Sequence, residues 1–329
     1  MNLMLLAAGE GTRFRPHTLK LPKPCLPFCG LPLLFFPLYL AKKINFKRVV
    51  INTFHLPDEI HKLESNLNRF NAEFFFSDEK DKLLGSAGGI ARARPWLEVD
   101  DDFIVMNGDE VILPKNQQIM EVFYSQSRAN GFLANLMVMK HPEAGKKFGA
   151  IWVSKIDGMV KGFGKLMPPG FKDLEPFHFI GPMYFRREIF NYLSEEPSNI
   201  LYDSLSLALT RGEKVGICCV ECDWYETGNL IDFLSANRQV LELVHNRHPF
   251  LMEMFLELNS DYELNIHNES YLLKHKSSIL SQNTSIKGFA VLGEDTVIEE
   301  GVYLENVICN SGITLKSDGN KFYINELFL

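Results

Sequence analysis

The chain of 329 residues has no apolar run long enough to cross a bilayer; the longest, Leu31–Leu40 (LPLLFFPLYL), holds ten residues and two prolines. Met1–Ala8 lacks the basic start and small-residue cleavage site of a secretory signal. A basic surplus is also missing: 34 Lys and Arg face 41 Asp and Glu, for a net charge of −7. That balance argues against nucleic acid as a partner, yet leaves room for a small anion held by a few local cations. Six irregularly spaced cysteines fit a reducing compartment better than a disulfide framework. Cys219-Val-Glu-Cys222 has the spacing of half a zinc site, but no second pair follows, and VGICCVEC reads as a β-strand. The expectation is a cytoplasmic protein with no membrane partner and more than one domain.

What is present is alternation. Apolar runs at Asn2–Ala7, Arg48–Thr53, Glu73–Phe76 and Phe103–Met106 read as strands, separated by helical patterns at Leu33–Lys43, Asp58–Asn68 and Ser86–Arg94. Strands alternating with helices predict an α/β fold, a Rossmann-like, mostly parallel sheet flanked by helices. From Phe132 the pattern turns strand-rich, with helices expected near Ile189–Ser194, Ser204–Arg211, Ile231–His245 and Phe250–Leu258. In the tail, Ile286, Leu292, Ile298 and Leu304 recur every six residues, with glycines between them. That period predicts a short parallel β-helix, whose open end would pack on the first domain or on a second subunit. The boundaries read as a catalytic domain over 1–248, a helical linker over 249–278 and the β-helix over 279–329.

The segment LLAAGEGTRFRPHTLKLPKPCLP, residues 5 to 27, is the least ordinary. A glycine turn at the carboxyl end of a parallel strand is where doubly wound sheets bind ligands. Two familiar fingerprints fail: the dinucleotide motif needs glycine where Phe14 stands, and no Gly-Lys-Ser/Thr follows. The charges tip the reading, because Arg13 follows the glycines and Lys23 is held between Pro22 and Pro24. Such a loop is suited to clamping a polyphosphate. FIVMNGD then ends a strand in Asp109, one carboxylate at the same sheet edge, which suits Mg²⁺ bound together with phosphate oxygens.

Together these residues resemble the sugar-1-phosphate nucleotidyltransferase family, whose signature LAAGxGTRxxPxTxxxPKPxxP is matched without a gap from Leu6 to Pro27. LLGSAGGI (83–90) is similar to the segment lining that family's nucleobase pocket, VMNGDE to its metal-binding strand end, and FIGPMYF and DWYETGNLIDFLSAN to its later landmarks. The hexapeptide tail resembles the left-handed β-helix of several members, including mannose-1-phosphate guanylyltransferases.

The resemblance implies an NTP and a sugar 1-phosphate as partners and Mg²⁺ as cofactor. It implies Arg13, Lys23 and Asp109 as catalytic residues. Leu6, Ala7, Ala8, Gly9, Gly11, Thr12, Gly85, Gly88 and Gly89 would meet the nucleotide. Asn107, Gly149, Lys165 and Gly181 would meet the sugar phosphate, and Asp109 with Glu226 the metal. Two departures stand out. Glu226 replaces the family's aspartate, and Gly164-Lys165-Leu166 replaces its Glu-Lys-Pro, so Glu175 or His178 is left to take the missing acid's part. Mannose 1-phosphate with GTP is the first expectation, on the tail and the AGG segment. The alternatives are uridylyl transfer to an N-acetylated amino sugar, thymidylyl or adenylyl transfer to glucose 1-phosphate, and a non-catalytic regulatory relative. An acyltransferase tail is disfavoured, because no histidine lies between Ile279 and Leu329. A homo-oligomer through the tail is also expected.

Overall fold

Leu3, Met4 and Leu5 are fully buried, as are Val49, Val50 and Ile51 and the run Phe103–Val105. Strands covered on both faces need continuous apolar sequence rather than alternation, which is the pattern these segments show. The computed structural model describes residues 1–267, 269–316 and 322–329. It divides into two units: Met1–Gly9 with Phe36–Trp224, and Glu10–Phe35 with Tyr225–Leu329.

The first unit is built on a nine-stranded sheet. Its strands are β1 (Asn2–Leu6), β2 (Arg48–Thr53), β3 (Glu73–Asp78), β4 (Asp102–Asn107), β5 (Ala134–Met139), β6 (Ala150–Ser154), β7 (Val160–Gly164), β8 (Leu174–Arg186) and β9 (Val215–Cys219). Their order is β7-β6-β8-β4-β1-β2-β3, with β5 pairing both β8 and β9. β1 through β4 are mutually parallel, and their register aligns Leu6 with Asn52 and with Asn107 at the carboxyl edge. The parallel expectation holds for this half. Beyond it the sheet is mixed, because the long β8 runs antiparallel to β4, β5 and β6.

Helix α1 (Gly85–Arg92) buries Ala87, Ile90 and Ala91, and helix α2 (Ile119–Asn130) buries Met120 and Phe123 before ending at Gly131, φ 65°. The helix expected over Asp58–Asn68 is broken into Pro57–His61 and Glu64–Leu67. The one expected near Ile189–Ser194 is a 3₁₀ segment, Arg187–Tyr192. Neither stretch has the length to sustain a regular α-helix by propensity alone.

In the second unit, residues 10–35 form three 3₁₀ turns, Thr12–Phe14, His17–Leu19 and Lys23–Cys25, then a small hairpin, Pro27–Phe28 with Leu31–Pro32. Helices α3 (Leu230–His245) and α4 (Pro249–Leu258) follow the return of the chain at Tyr225. Residues 249–278 are helical only through α4; they continue as strands β10 (Tyr262–His267) and β11 (Ser270–His275).

β11 leads a parallel ladder through β12 (Ser285–Leu292), β13 (Tyr303–Cys309) and β14 (Phe322–Phe328). Tyr271 faces Phe289, eighteen positions on, so one coil is three six-residue edges. Ile279–Leu280, Val297–Ile298 and Thr314–Leu315 form a second parallel ladder, as in a short β-helix. The sixfold residues Ile286, Leu292, Ile298 and Leu304 make its core. At one corner Asn306 and Asn325 both take φ 53°, and Asn306 Nδ2 donates to Asn325 Oδ1 at 3.0 Å. No helix among the described residues is long and apolar enough to cross a membrane.

Candidate active site

At the carboxyl edge of β1, the N–H of Ala7 donates to Asn52 Oδ1 at 2.8 Å. Asn52 Nδ2 donates in turn to Glu79 Oε1 at 2.7 Å, and the N–H of Leu84 to Glu79 Oε2 at 2.7 Å. This relay fixes the first residue of the glycine turn to the strand beside it and to the start of α1. Burial pushes the Glu79 carboxyl above the usual range, against the pull of its two hydrogen bonds.

The glycines divide by surroundings. Among the described residues, a Cβ on Gly9 would meet nothing within 4 Å beyond its chain neighbours. One on Gly85 would lie 2.6 Å from the carbonyl oxygen of Ser198, one on Gly88 2.6 Å from that of Glu196, and one on Gly89 2.7 Å from Asn52 Nδ2. Gly85, Gly88 and Gly89 thus let α1 seat against its neighbours, while Gly9 leaves open space.

Gly11, Thr12, Arg13 and Lys23 belong to the second unit. Gly11 takes φ 59° and its carbonyl accepts from Thr18 Oγ1 at 2.9 Å; a Cβ there would lie 2.8 Å from Thr18 Cγ2. Phe14, at the position where a dinucleotide motif needs glycine, is buried and packs edge-on against Phe233 of α3, centroids 5.2 Å apart. That contact turns a would-be flexible loop into a packed element and presents Arg13 beside it on the exposed side. Lys23 is 9% exposed. The N–H of Gly228 donates to Glu226 Oε1 at 2.8 Å, and a Cβ on Gly228 would lie 2.9 Å from both Arg13 Nη atoms. The structure therefore brings Arg13 and Glu226 to one glycine, residues more than two hundred positions apart.

The remaining predicted residues lie in the first unit. The N–H of Gly108 donates to the carbonyl of Leu6 at 2.9 Å, which ties the Asp109 turn to β1. Asn107 Nδ2 and Trp224 Nε1 both donate to Glu110, at 3.0 and 2.7 Å. Gly181, φ 116°, has its open side against Glu110, where a Cβ would lie 3.0 Å from Cγ. Gly149 faces the Tyr202 hydroxyl, and Lys165 is exposed on the connection after β7. Glu175 ion-pairs with Lys140 at 3.4 Å, whereas His178 is buried.

Asn52, Glu79, Glu110 and Trp224 escaped the sequence reading. The one available signal was Asn52, a polar residue set in the apolar run RVVINT.

A family model described as Nucleotidyl transferase matches residues 2–242. The chain belongs to the nucleotidyl transferase family. It is 27% identical to the UTP–glucose-1-phosphate uridylyltransferase of Synechocystis sp., over 73% of this chain and 63% of that one. It is 26% identical to the mannose-1-phosphate guanylyltransferase catalytic subunit beta of Xenopus tropicalis, over 76% of this chain and 67% of the relative. Among solved structures, the inositol-1-phosphate CTP transferase of T. maritima matches with a TM-score of 0.57 at 21% identity, over 72% of this chain and 96% of that one. This last likeness concerns the fold. The chain spans less than two thirds of the Synechocystis relative's length.

Proposed function

We propose that this nucleotidyl transferase condenses a sugar 1-phosphate with a nucleoside triphosphate, giving an NDP-sugar and pyrophosphate. The observation that carries the reading is the family match over residues 2–242, which contains the whole loop signature from Leu6 to Pro27. A phosphate oxygen of the sugar 1-phosphate attacks the α-phosphorus in line, and pyrophosphate leaves from the opposite side. The attacking oxygen is already anionic, so no general base is needed. Catalysis is positioning plus neutralisation of charge.

In this scheme backbone N–H groups of Ala8 to Thr12 receive the phosphates at the point where Gly9 leaves room. Arg13 neutralises the departing pyrophosphate, Lys23 sits by the α-phosphate, and Lys165 takes the sugar phosphate. Lys23 is suited to its part because flanking prolines and burial limit the conformations it can take.

Asp109 and Glu226 would hold Mg²⁺. Their chemistry fits, since Mg²⁺ is commonly held by one or two carboxylates with phosphate oxygens and water rather than by an all-protein cage. Among the described residues no group of three or more His, Cys, Asp or Glu forms such a cage. When bound there, the ion supplies positive charge against the phosphates.

Mannose 1-phosphate and GTP are the first pair proposed, supported by the guanylyltransferase relative and the β-helix-like tail. The uridylyltransferase relative favours a second reading, UTP with a glucose-type or N-acetylated amino-sugar 1-phosphate. The test is a panel of GTP, UTP, dTTP, CTP and ATP against mannose, glucose and N-acetylglucosamine 1-phosphates, read by pyrophosphate release. Release with one pair is the expected result; no release with any pair overturns the proposal.

A further inference from the structure

His178 lies on β8, 7% exposed, and neither ring nitrogen has a hydrogen-bond partner. Among the described residues it is the only histidine with both nitrogens buried and unpartnered. Its ring is walled by other rings: Trp224, edge-on, at 4.6 Å, and Phe148 and His141, tilted, at 4.9 and 5.4 Å between centroids. A buried imidazole with no partner is costly, because it has given up water at both nitrogens and received nothing in exchange. Apolar packing alone does not account for a histidine here. A phenylalanine would fill the same aromatic box without that cost.

The surroundings say what a partner would be. Phe148 precedes Gly149, and Gly181 lies three residues on from His178 along β8. Trp224 donates to Glu110, which also takes the amide of Asn107 and faces Gly181. The box thus adjoins three of the four positions at which the sugar phosphate is expected. Aromatic faces beside a hydrogen-bonding ring suit a pyranose, which offers C–H surface to the first and hydroxyls to the second.

We propose that His178 is a specificity-determining residue of this transferase, hydrogen-bonding a hydroxyl of the sugar ring while Phe148 and Trp224, set at 81° to each other, flank the sugar's C–H surface. The inference rests on the nucleotidyl-transfer reading and names the residue that takes the part left open by Gly164. Burial and the nearby His141 hold the His178 pKa down at about 4, so the ring is uncharged at neutral pH and offers one donor and one acceptor. Two of its three covering rings, His141 and Phe148, lie on the connection between β5 and β6, outside the named strands. A sugar reaching the imidazole would displace His141 on that connection, with β8 staying in place.

The experiment uses the full chain with the NTP and sugar 1-phosphate that turn over fastest among mannose, glucose and N-acetylglucosamine 1-phosphates. His178→Phe is expected to raise KM for that sugar phosphate by about tenfold or more, the cost of one lost substrate hydrogen bond, with KM for the NTP unchanged. His178→Asn, which keeps a donor and an acceptor, is expected to recover part of the loss. With the unaltered protein, ¹⁵N-histidine spectra should show the His178 ring nitrogens shifting when the sugar 1-phosphate is added. Turnover by His178→Phe with an unchanged sugar KM overturns the inference, as does a His178 signal indifferent to the sugar. If the unaltered protein turns over no pair at all, the nucleotidyl-transfer reading fails instead.

Discussion

Asn237 on α3 accepts the backbone N–H of Cys29 through Oδ1 at 2.7 Å, and its Nδ2 donates to the carbonyl of Phe233 at 2.8 Å. The carbonyl of Cys29 takes the Nδ2 of Asn259 at 3.0 Å. Both main-chain groups of one buried hairpin residue are thus satisfied by asparagines more than two hundred positions away. Asn237 is fully buried, so its loss leaves donors and acceptors without water. Asn237→Ala is expected to lower the unfolding free energy by about 1–3 kcal/mol, checked by the shift of the urea midpoint at constant m-value.

Arg13 is exposed, whereas its neighbour Phe14 is buried and packs on Phe233. Arg13→Ala is expected to reduce pyrophosphate release by about a hundredfold or more while leaving the thermal midpoint near that of the parent. Lys23→Ala and Asp109→Asn should each cut turnover as deeply, and near-normal rates for either would remove it from its assigned role. Chelation by EDTA should stop the reaction and added Mg²⁺ restore it.

Gly9 and Gly89 separate open space from packing space. Among the described residues nothing beyond its chain neighbours lies within 4 Å of a Cβ at Gly9, so Gly9→Ala should fold with unchanged stability and lose activity. A Cβ at Gly89 would press on Asn52 Nδ2 at 2.7 Å and Glu79 Oε1 at 3.0 Å. Gly89→Ala should therefore destabilise the fold by about 1–3 kcal/mol. Thermal denaturation of the pair, run beside the turnover assay, distinguishes the two outcomes.

His178 also carries a pH signature in stability. Its ordinary pKa of 6.5 falls to about 4 in the folded chain, through burial first and the neighbouring His141 second. Between those values the unfolded state binds the proton and the folded state does not, so His178 removes stability as pH falls from 6.5 toward 4. His178→Phe should lose less stability than the parent over that interval and match its slope above pH 7. Denaturation midpoints taken at half-unit steps would show a parallel fall in both proteins if the imidazole were charged when folded.

Local pattern carried the parallel half of the fold and the family signature from Leu6 to Pro27. Leu3–Leu5 and Val49–Ile51 are apolar without alternation because both faces are covered, and the six-residue spacing of Ile286, Leu292 and Ile298 follows from the coil that buries them. The candidate site was legible where a motif is contiguous, at Leu6 to Pro27 and at Asn107 to Asp109. It was illegible where a residue matters through a distant partner. Glu79 becomes part of the turn only when β2 and β3 are paired, and Glu110 meets Trp224 only after more than a hundred intervening residues have folded. The antiparallel course of β8 escaped for the same reason, since strand direction is set by connections and not by composition.

The fastening of residues 10–35 to α3, α4 and β10 has a temporal side. Phe14 and Phe28 wait for Phe233, Cys29 for Asn237 and Asn259, and Gly30 for the ring of Tyr262. At roughly 5–20 residues per second, a ribosome delivers those partners about 10–40 s after the loop has emerged. During that interval Phe14 and Phe28 lack Phe233, the ring against which both pack. A stretch that leaves the ribosome some two hundred residues ahead of its partners cannot take its native shape until they arrive, so that shape depends on synthesis of the chain well beyond Trp224.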